Sequence, residues 1–277
     1  MKFLKYLLLL VAVILLGAIL LAAGGYYLAK DRPAFYRPYA WEIQQRAALN
    51  QRALDKLLRT QNLAAGAQAA ERRAQLGTAA HSVPQALTVA LSEEEINAFL
   101  THNAELEGLN KTYERYAQHP GIFLKKGQII LAAEVKELGC LVSIHLEPKL
   151  DAQGKLHVDL VRSTVGRLPV PKALASKQLA QFRSALTSRL PRWQRDAAID
   201  STGRTNQSAV TAAMAKLLLG LLDNKPADAV LFMPLGQSGK SVPLRLTDLQ
   251  VEEQSLKFTV EPLSAAERMA LLKSIRS

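Results

Sequence analysis

The residues of this chain best suited by type and spacing to chemistry lie in Pro234-Leu235-Gly236-Gln237-Ser238-Gly239-Lys240-Ser241, which follows an apolar run and ends in Gly-Lys-Ser like a phosphate-binding loop. Such a loop cradles phosphate on backbone N–H groups. It needs a glycine five residues before Gly239 and, after the loop, a helix whose N-terminus faces the anion. Position 234 is proline, and Val242-Pro243-Leu244 continues as a strand. A Gly-rich hairpin turn therefore accounts for these residues better than a nucleotide site. The segment also misses the nucleophile-elbow pattern, because Lys240 stands where the second glycine should be.

A second constellation combines His145, Glu147, His157 and Asp159. A hairpin turning at Asp151-Ala152-Gln153 pairs His145 with Asp159 and Glu147 with His157 on one face, and two imidazoles with two carboxylates suit zinc. Hydrogen-bonded or opposite-charge pairs across an exposed sheet face are the commoner use of such residues, and no metal is assigned. His81, His102 and His119 stand alone, and Asp196 with Asp200 sits one helical turn apart beside Arg192 and Arg195, which reads as surface ion pairing. No nucleophile, base and orienting group assemble into a catalytic set, so no enzyme activity and no cofactor is expected. Asn110-Lys111-Thr112 and Asn206-Gln207-Ser208 fit the glycosylation triplet, which a chain of this length contains by chance. The single Cys140 excludes an intramolecular disulfide and a thiolate cluster.

The elements that must position these residues follow from hydrophobic period. Residues 40–76 are Ala-, Gln- and Arg-rich, with Ile43, Ala47, Leu54, Leu57 and Leu58 at helical spacing. In Leu91-Ser92-Glu93-Glu94-Glu95-Ile96, Ser92 and Glu95 form a capping box, Leu91 and Ile96 a staple, and a helix to about Glu107 follows. Gln128 to Lys136, Cys140 to Lys149 and Lys155 to Val165 alternate with period two and form an antiparallel meander. Val142, Ile144 and Leu146, with Leu156, Val158 and Leu160, face one way, and Ser143, His145, Glu147, His157 and Asp159 the other; the first face is expected to pack and the second to be wet. Pro171 suits the first turn of a helix that Pro191 stops. Asn206 to Leu222 is apolar almost all round and reads as a buried helix. Strands at Ala229 to Leu235, Val242 to Leu249 and Ser255 to Pro262 follow, then a helix from Ala265 to Arg276 capped by Ser264 and Glu267.

No charge interrupts Tyr6 to Ala29. A helix of about 24 residues reaches about 36 Å, enough to cross a hydrocarbon core of about 30 Å. Leu21-Ala22-Ala23-Gly24-Gly25 offers a poor cleavage site, so residues 1–30 read as an uncleaved transmembrane anchor, with Tyr6, Tyr26 and Tyr27 at its interfaces. Residues 31–85 follow as linker and helical stalk, and 86–277 as the main domain. The short basic N-tail places the domain outside the cytoplasm, in the periplasm or on the outer face of a bacterial envelope. The net charge of +11 is uneven: from Lys155 to Arg204 ten Lys and Arg side chains stand against Asp159, Asp196 and Asp200. Such a field suits anionic surfaces, though a solvated basic face is its commoner meaning, and no nucleic acid is expected.

The order of capped helix, meander with Leu146-Glu147-Pro148 and Gly154, and Gly166-Arg167-Leu168-Pro169-Val170-Pro171 resembles the YpmS-like family of membrane-anchored bacterial proteins of unknown function, over about residues 88–190. The resemblance implies a curved sheet wrapped round a long helix, similar to tubular lipid-binding domains, and supplies no functional residues. The expected architecture is thus α+β: a transmembrane helix, a helical stalk and an antiparallel curved sheet on long helices. Two functions fit it. One is an anchored binding module with a lipid or other amphiphile in a groove between Val142, Ile144, Val158 and Leu160 on the sheet and Met214, Leu217, Leu218 and Leu221 on the apolar helix. The other is an envelope scaffold or interaction protein with no ligand of its own, its stalk and basic face recruiting a protein partner.

Overall fold

A computed structural model describes residues 27–75, 86–106, 117–137, 139–170, 172–200, 204–223, 225–234 and 241–277. The elements are α1 (Ile43–Gln75), β1 (Leu87–Ser92), α2 (Glu93–Leu106), β2 (Ala117–Lys125), β3 (Gln128–Val135), β4 (Cys140–Leu150), β5 (Lys155–Val165), β6 (Leu168–Pro169), α3 (Lys172–Asp196), α4 (Gln207–Leu222), β7 (Ala227–Asp228), β8 (Val230–Pro234), β9 (Ser241–Glu252), β10 (Ser255–Pro262) and α5 (Ala265–Arg276). The fold is α+β with two antiparallel sheets, one ordered β1-β10-β9-β8 and the other β2-β3-β4-β5-β6, with β7 paired to the start of β5. Among the described residues no helix is long and apolar enough to cross a membrane. The expected anchor lies outside them except for its last residues, where 27–30 form a helical turn.

The first sheet is covered on both sides. Leu231 and Met233 of β8 join Val242, Leu244, Leu246, Phe258 and Val260 against Ala53 and Ala64 of α1. Alternate residues Val230 and Phe232 face Trp193, Ala209, Ala212, Leu271 and Ile275 of the three later helices. The helix expected as a stalk thus contributes fully buried alanines to the core, and its small residues let it approach the strands closely.

At the start of α2, Ser92 and Glu95 form the capping box: Glu95 N donates to Ser92 Oγ at 3.1 Å, and Ser92 N to Glu95 Oε2 at 2.8 Å. Lys56 of α1 adds an ion pair to Glu95 at 2.7 Å, which ties the two helices together. Two strands escape the periodicity. β1 pairs with β10 and carries Leu91 into the core, and β2 edges the second sheet through Ile122, Phe123 and Leu124. Pro191 does not stop α3, which runs on to Asp196. That extra turn is held by tertiary contacts, Trp193 in the helix cluster and Gln194 Nε2 donating to Ile275 O at 2.9 Å.

At one end of the second sheet the burial is the reverse of the expectation, while Glu147, His157 and Asp159 stay partly exposed and Leu150 and Leu156 pack as expected. Ser143, His145 and Thr164 are buried, whereas Leu131, Ile144 and Leu160 are 38%, 38% and 51% exposed. The cause is the segment from Pro33 to Trp41, expected as a linker to Pro38 and a helix from residue 40, which crosses the face of Ser143 and His145 as a strap. Tyr36 packs on Phe123, Ile130, Ala132 and Leu141, and the Phe35 ring meets His145 edge-on at 5.5 Å. Burial of the strap's aromatic rings together with Phe123, Ile130 and Leu141 outweighs the exposure of three aliphatic side chains, because each aromatic ring removes a large area from water.

Candidate binding site

The hairpin of β4 and β5 decides what its polar side chains can do. Asp151 Oδ1 accepts hydrogen bonds from the backbone of Gln153 and Lys155, at 2.9 and 2.8 Å, and Gly154 takes φ 71° in the turn. This wider turn pairs Glu147 with Asp159 and Lys149 with His157, and an irregularity after His145 puts Arg162 opposite it. The pairing expected for a metal is therefore lost. His157 binds Asp151 at 2.9 Å, Lys149 bridges Glu147 and Asp159, and among the described residues no three potential ligands come together.

His145 is 1% exposed, with Nε2 3.2 Å from Ser143 Oγ. Its Nδ1 finds no partner among the described residues. Burial, with Arg162 and Lys125 adding positive charge, pushes its pKa down to about 4, so it is a neutral structural side chain.

The opposite face of this sheet is a continuous apolar floor. Across the strands it reads Ile122, Leu131 and Ile144 in one row and Leu124, Ile129, Leu146 and Leu160 in the next, with Val142 at one end and Val158, Leu150 and Leu156 at the other. Leu150 and Leu156 join the core of the first sheet. From there the floor runs out of the core into the open, where Leu131, Ile144 and Leu160 lie. Between Val142 and Leu150 it spans about 26 Å at 3.3 Å per residue.

Of the residues expected to form a groove, Val142, Ile144, Val158 and Leu160 share this floor. Met214 and Leu217 instead line a cleft of about 230 Å³ with Gly220, Ala227, Phe232 and Leu271, whose rim carries Lys155 and Asp228. Met214 is 46% exposed and Leu218 is half-buried. The side chain of Leu221 lies outside the described set. The structure thus gives two apolar surfaces, one on the sheet and one beside α4, joined where β7 pairs with Lys155 and Leu156.

A third concavity, of about 350 Å³, was not visible in sequence. It lies between the strap, the first turn of α1 and the start of β2, and its walls include Arg37, Tyr39, Trp41, Arg46, His119 and Lys136. Tyr39 and Trp41 stack with ring centroids 4.4 Å apart. The Tyr39 hydroxyl donates to Glu93, and burial together with that carboxylate raises its pKa far above the ordinary phenol range. These residues come from segments that look like linker and strand ends, and only the alternation of aromatic and basic types in Phe35-Tyr36-Arg37-Pro38-Tyr39-Ala40-Trp41 hints at them.

The chain enters this body at one defined place. Arg167 N donates to Leu28 O at 2.9 Å, Arg167 pairs with Asp31 at 3.0 Å and Arg32 with Glu134 at 2.8 Å. A Cβ on Gly166 would lie 2.2 Å from Ala29 O, so only glycine lets the hairpin touch the incoming backbone. Against family models, curated proteins and solved structures alike, the chain finds no match.

Proposed function

We propose that the chain is a membrane-anchored, extracytoplasmic binding module that lays an acyl chain of a lipid or other amphiphile along the floor formed by β2 to β5. The observation that supports this reading is the partly inverted sheet: Ser143 and His145 are buried on one face, while Leu131, Ile144 and Leu160 stay open on the other, which is continuous with the core. A large contiguous apolar surface on a soluble body marks a place where something else is bound. A leaflet's acyl chains span about half of a ~30 Å hydrocarbon core, and the stretch from Val142 to Leu146, short of the core, gives about 13 Å of floor, enough for most of one. The Tyr6 to Ala29 segment supplies the anchor, and the resemblance to the YpmS-like family agrees with a membrane setting.

The test is a photo-crosslinking amino acid placed at Leu160 of the full-length protein in its membranes, beside the same probe at exposed Lys126. A phospholipid adduct specific to position 160 is the expected result. A protein adduct there, with no lipid, would favour the scaffold reading instead.

A further inference from the structure

In the concavity beside the strap, cations and aromatic rings converge with no carboxylate in the wall among the described residues. Arg37, Arg46 and Lys136 bring three formal positive charges to it, with Gln118, Thr101 and His119 as polar neighbours. Glu93 is not in the wall; its carboxylate accepts from Tyr39 and from Leu124 N. The first turn of α1 also abuts the cleft through Arg46; it contains no acidic residue, and Glu42, whose carbonyl accepts from Arg46 N, stands just before it and outside the wall. Electrostatically this is a receptor for an anion with several oxygen acceptors, the class that guanidinium and ammonium groups hold best.

Location narrows the anion. Lys136 follows the pair Val135 and Cys140, and β2 begins with Ala117 opposite Val135, so this rim lies at one end of the second sheet. At that same end Gly166 N donates to Leu141 O and Arg32 of the incoming chain pairs with Glu134. If the chain leaves a bilayer near Ala29, the rim stands at headgroup level, where stacked Trp and Tyr rings are also favoured.

We propose that this cleft holds the phosphate of an anionic membrane lipid headgroup, with Arg37 and Lys136 as its cationic ligands and the Tyr39–Trp41 stack as the wall beside the glycerol. This rests on the anchoring part of the reading above and is independent of the floor. The site holds the domain in one orientation on the lipid surface, with the β3–β4 and β5–β6 turns toward it.

Trp41 is one of two tryptophans, and it reports on the cleft directly. The full-length protein is reconstituted into phosphatidylcholine nanodiscs with increasing phosphatidylglycerol, and tryptophan emission is followed. Alkaline carbonate extraction of the same preparation scores anchoring separately. The expected result is a saturable emission change that Trp41→Phe removes. The pair Arg37→Glu with Lys136→Glu should raise the half-saturating phosphatidylglycerol fraction about tenfold or more, since each cation near an anionic surface matters severalfold. The charge-matched pair Arg59→Glu with Lys126→Glu, both exposed and away from the cleft, should move it less than about twofold.

An equal response to inorganic phosphate or glycerol 3-phosphate in pure phosphatidylcholine discs would assign the cleft to a soluble phosphate and overturn the headgroup. No response from anchored protein, or an equal loss in both charge-reversed pairs, would overturn the site itself. Extraction of the protein by carbonate would overturn the anchoring on which it rests.

Discussion

His145 shows how one buried side chain makes stability depend on pH. Its pKa falls from an ordinary 6.5 in the unfolded chain to about 4 in the fold. Between those values the unfolded chain takes up a proton that the folded protein refuses. The contribution is therefore complete above pH 6.5 and lost progressively as pH falls toward 4, amounting to roughly 3 kcal/mol at the acid end. Chemical denaturation across that range should show this slope, and His145→Leu should flatten it; equal slopes in both proteins would count against the assignment. Gly166 is a second residue-scale constraint. With φ 57° and a backbone oxygen in the place of a Cβ, it leaves no room for alanine. Gly166→Ala should strain the contact by about 1 to 3 kcal/mol. Faster tryptic cleavage after Lys30 would report release of the incoming chain.

At the scale of elements, the pairing of α1 with α2 hangs on Glu95, which is 4% exposed and serves the capping box and the Lys56 ion pair together. Glu95→Ala removes both and leaves Ser92 N without its acceptor, at a cost of about 2 to 3 kcal/mol. Lys56→Ala should cost less, because its ammonium is partly in water and the box survives; a melting series of the two variants ranks them. The second sheet makes a different prediction. Leu160 is half exposed, so Leu160→Glu should change stability by no more than roughly 0.5 kcal/mol while it abolishes lipid adducts at a neighbouring probe on Ile144. A large drop in melting temperature would mean that the floor is covered by protein.

For the whole molecule, the junction of residues 27–32 with the β5–β6 hairpin and with Glu134 of β3 means that any anchor before it is coupled to the domain through specific contacts instead of a free tether. The full-length protein is expected to stay with membranes through alkaline carbonate washing, and its intact mass to retain the N-terminal residues. A soluble species starting near Gly24 would show that the apolar segment is a removed signal.

Much of the local structure was legible in sequence because it depends on neighbours in the chain. The capping boxes at Ser92 and Ser264 need only a hydroxyl and a glutamate three residues on, and both are formed. The meander from Gln128 to Val165 follows from period two, and the hairpin of β8 with β9 from a glycine-rich turn between apolar runs. Which face of the meander is buried could not follow from its own residues, since alternation marks two faces and only a third element chooses between them. The strap of Phe35, Tyr36 and Tyr39 made that choice, covering Ser143 and His145 and leaving Ile144 and Leu160 open. The pairing of Glu147 with Asp159 was likewise set by the width of the turn at Asp151, which shifts every partner along the strands. Arg37, Trp41 and Lys136 meet in one cleft for the same reason: their proximity is a long-range consequence of packing, and no spacing along the chain encodes it.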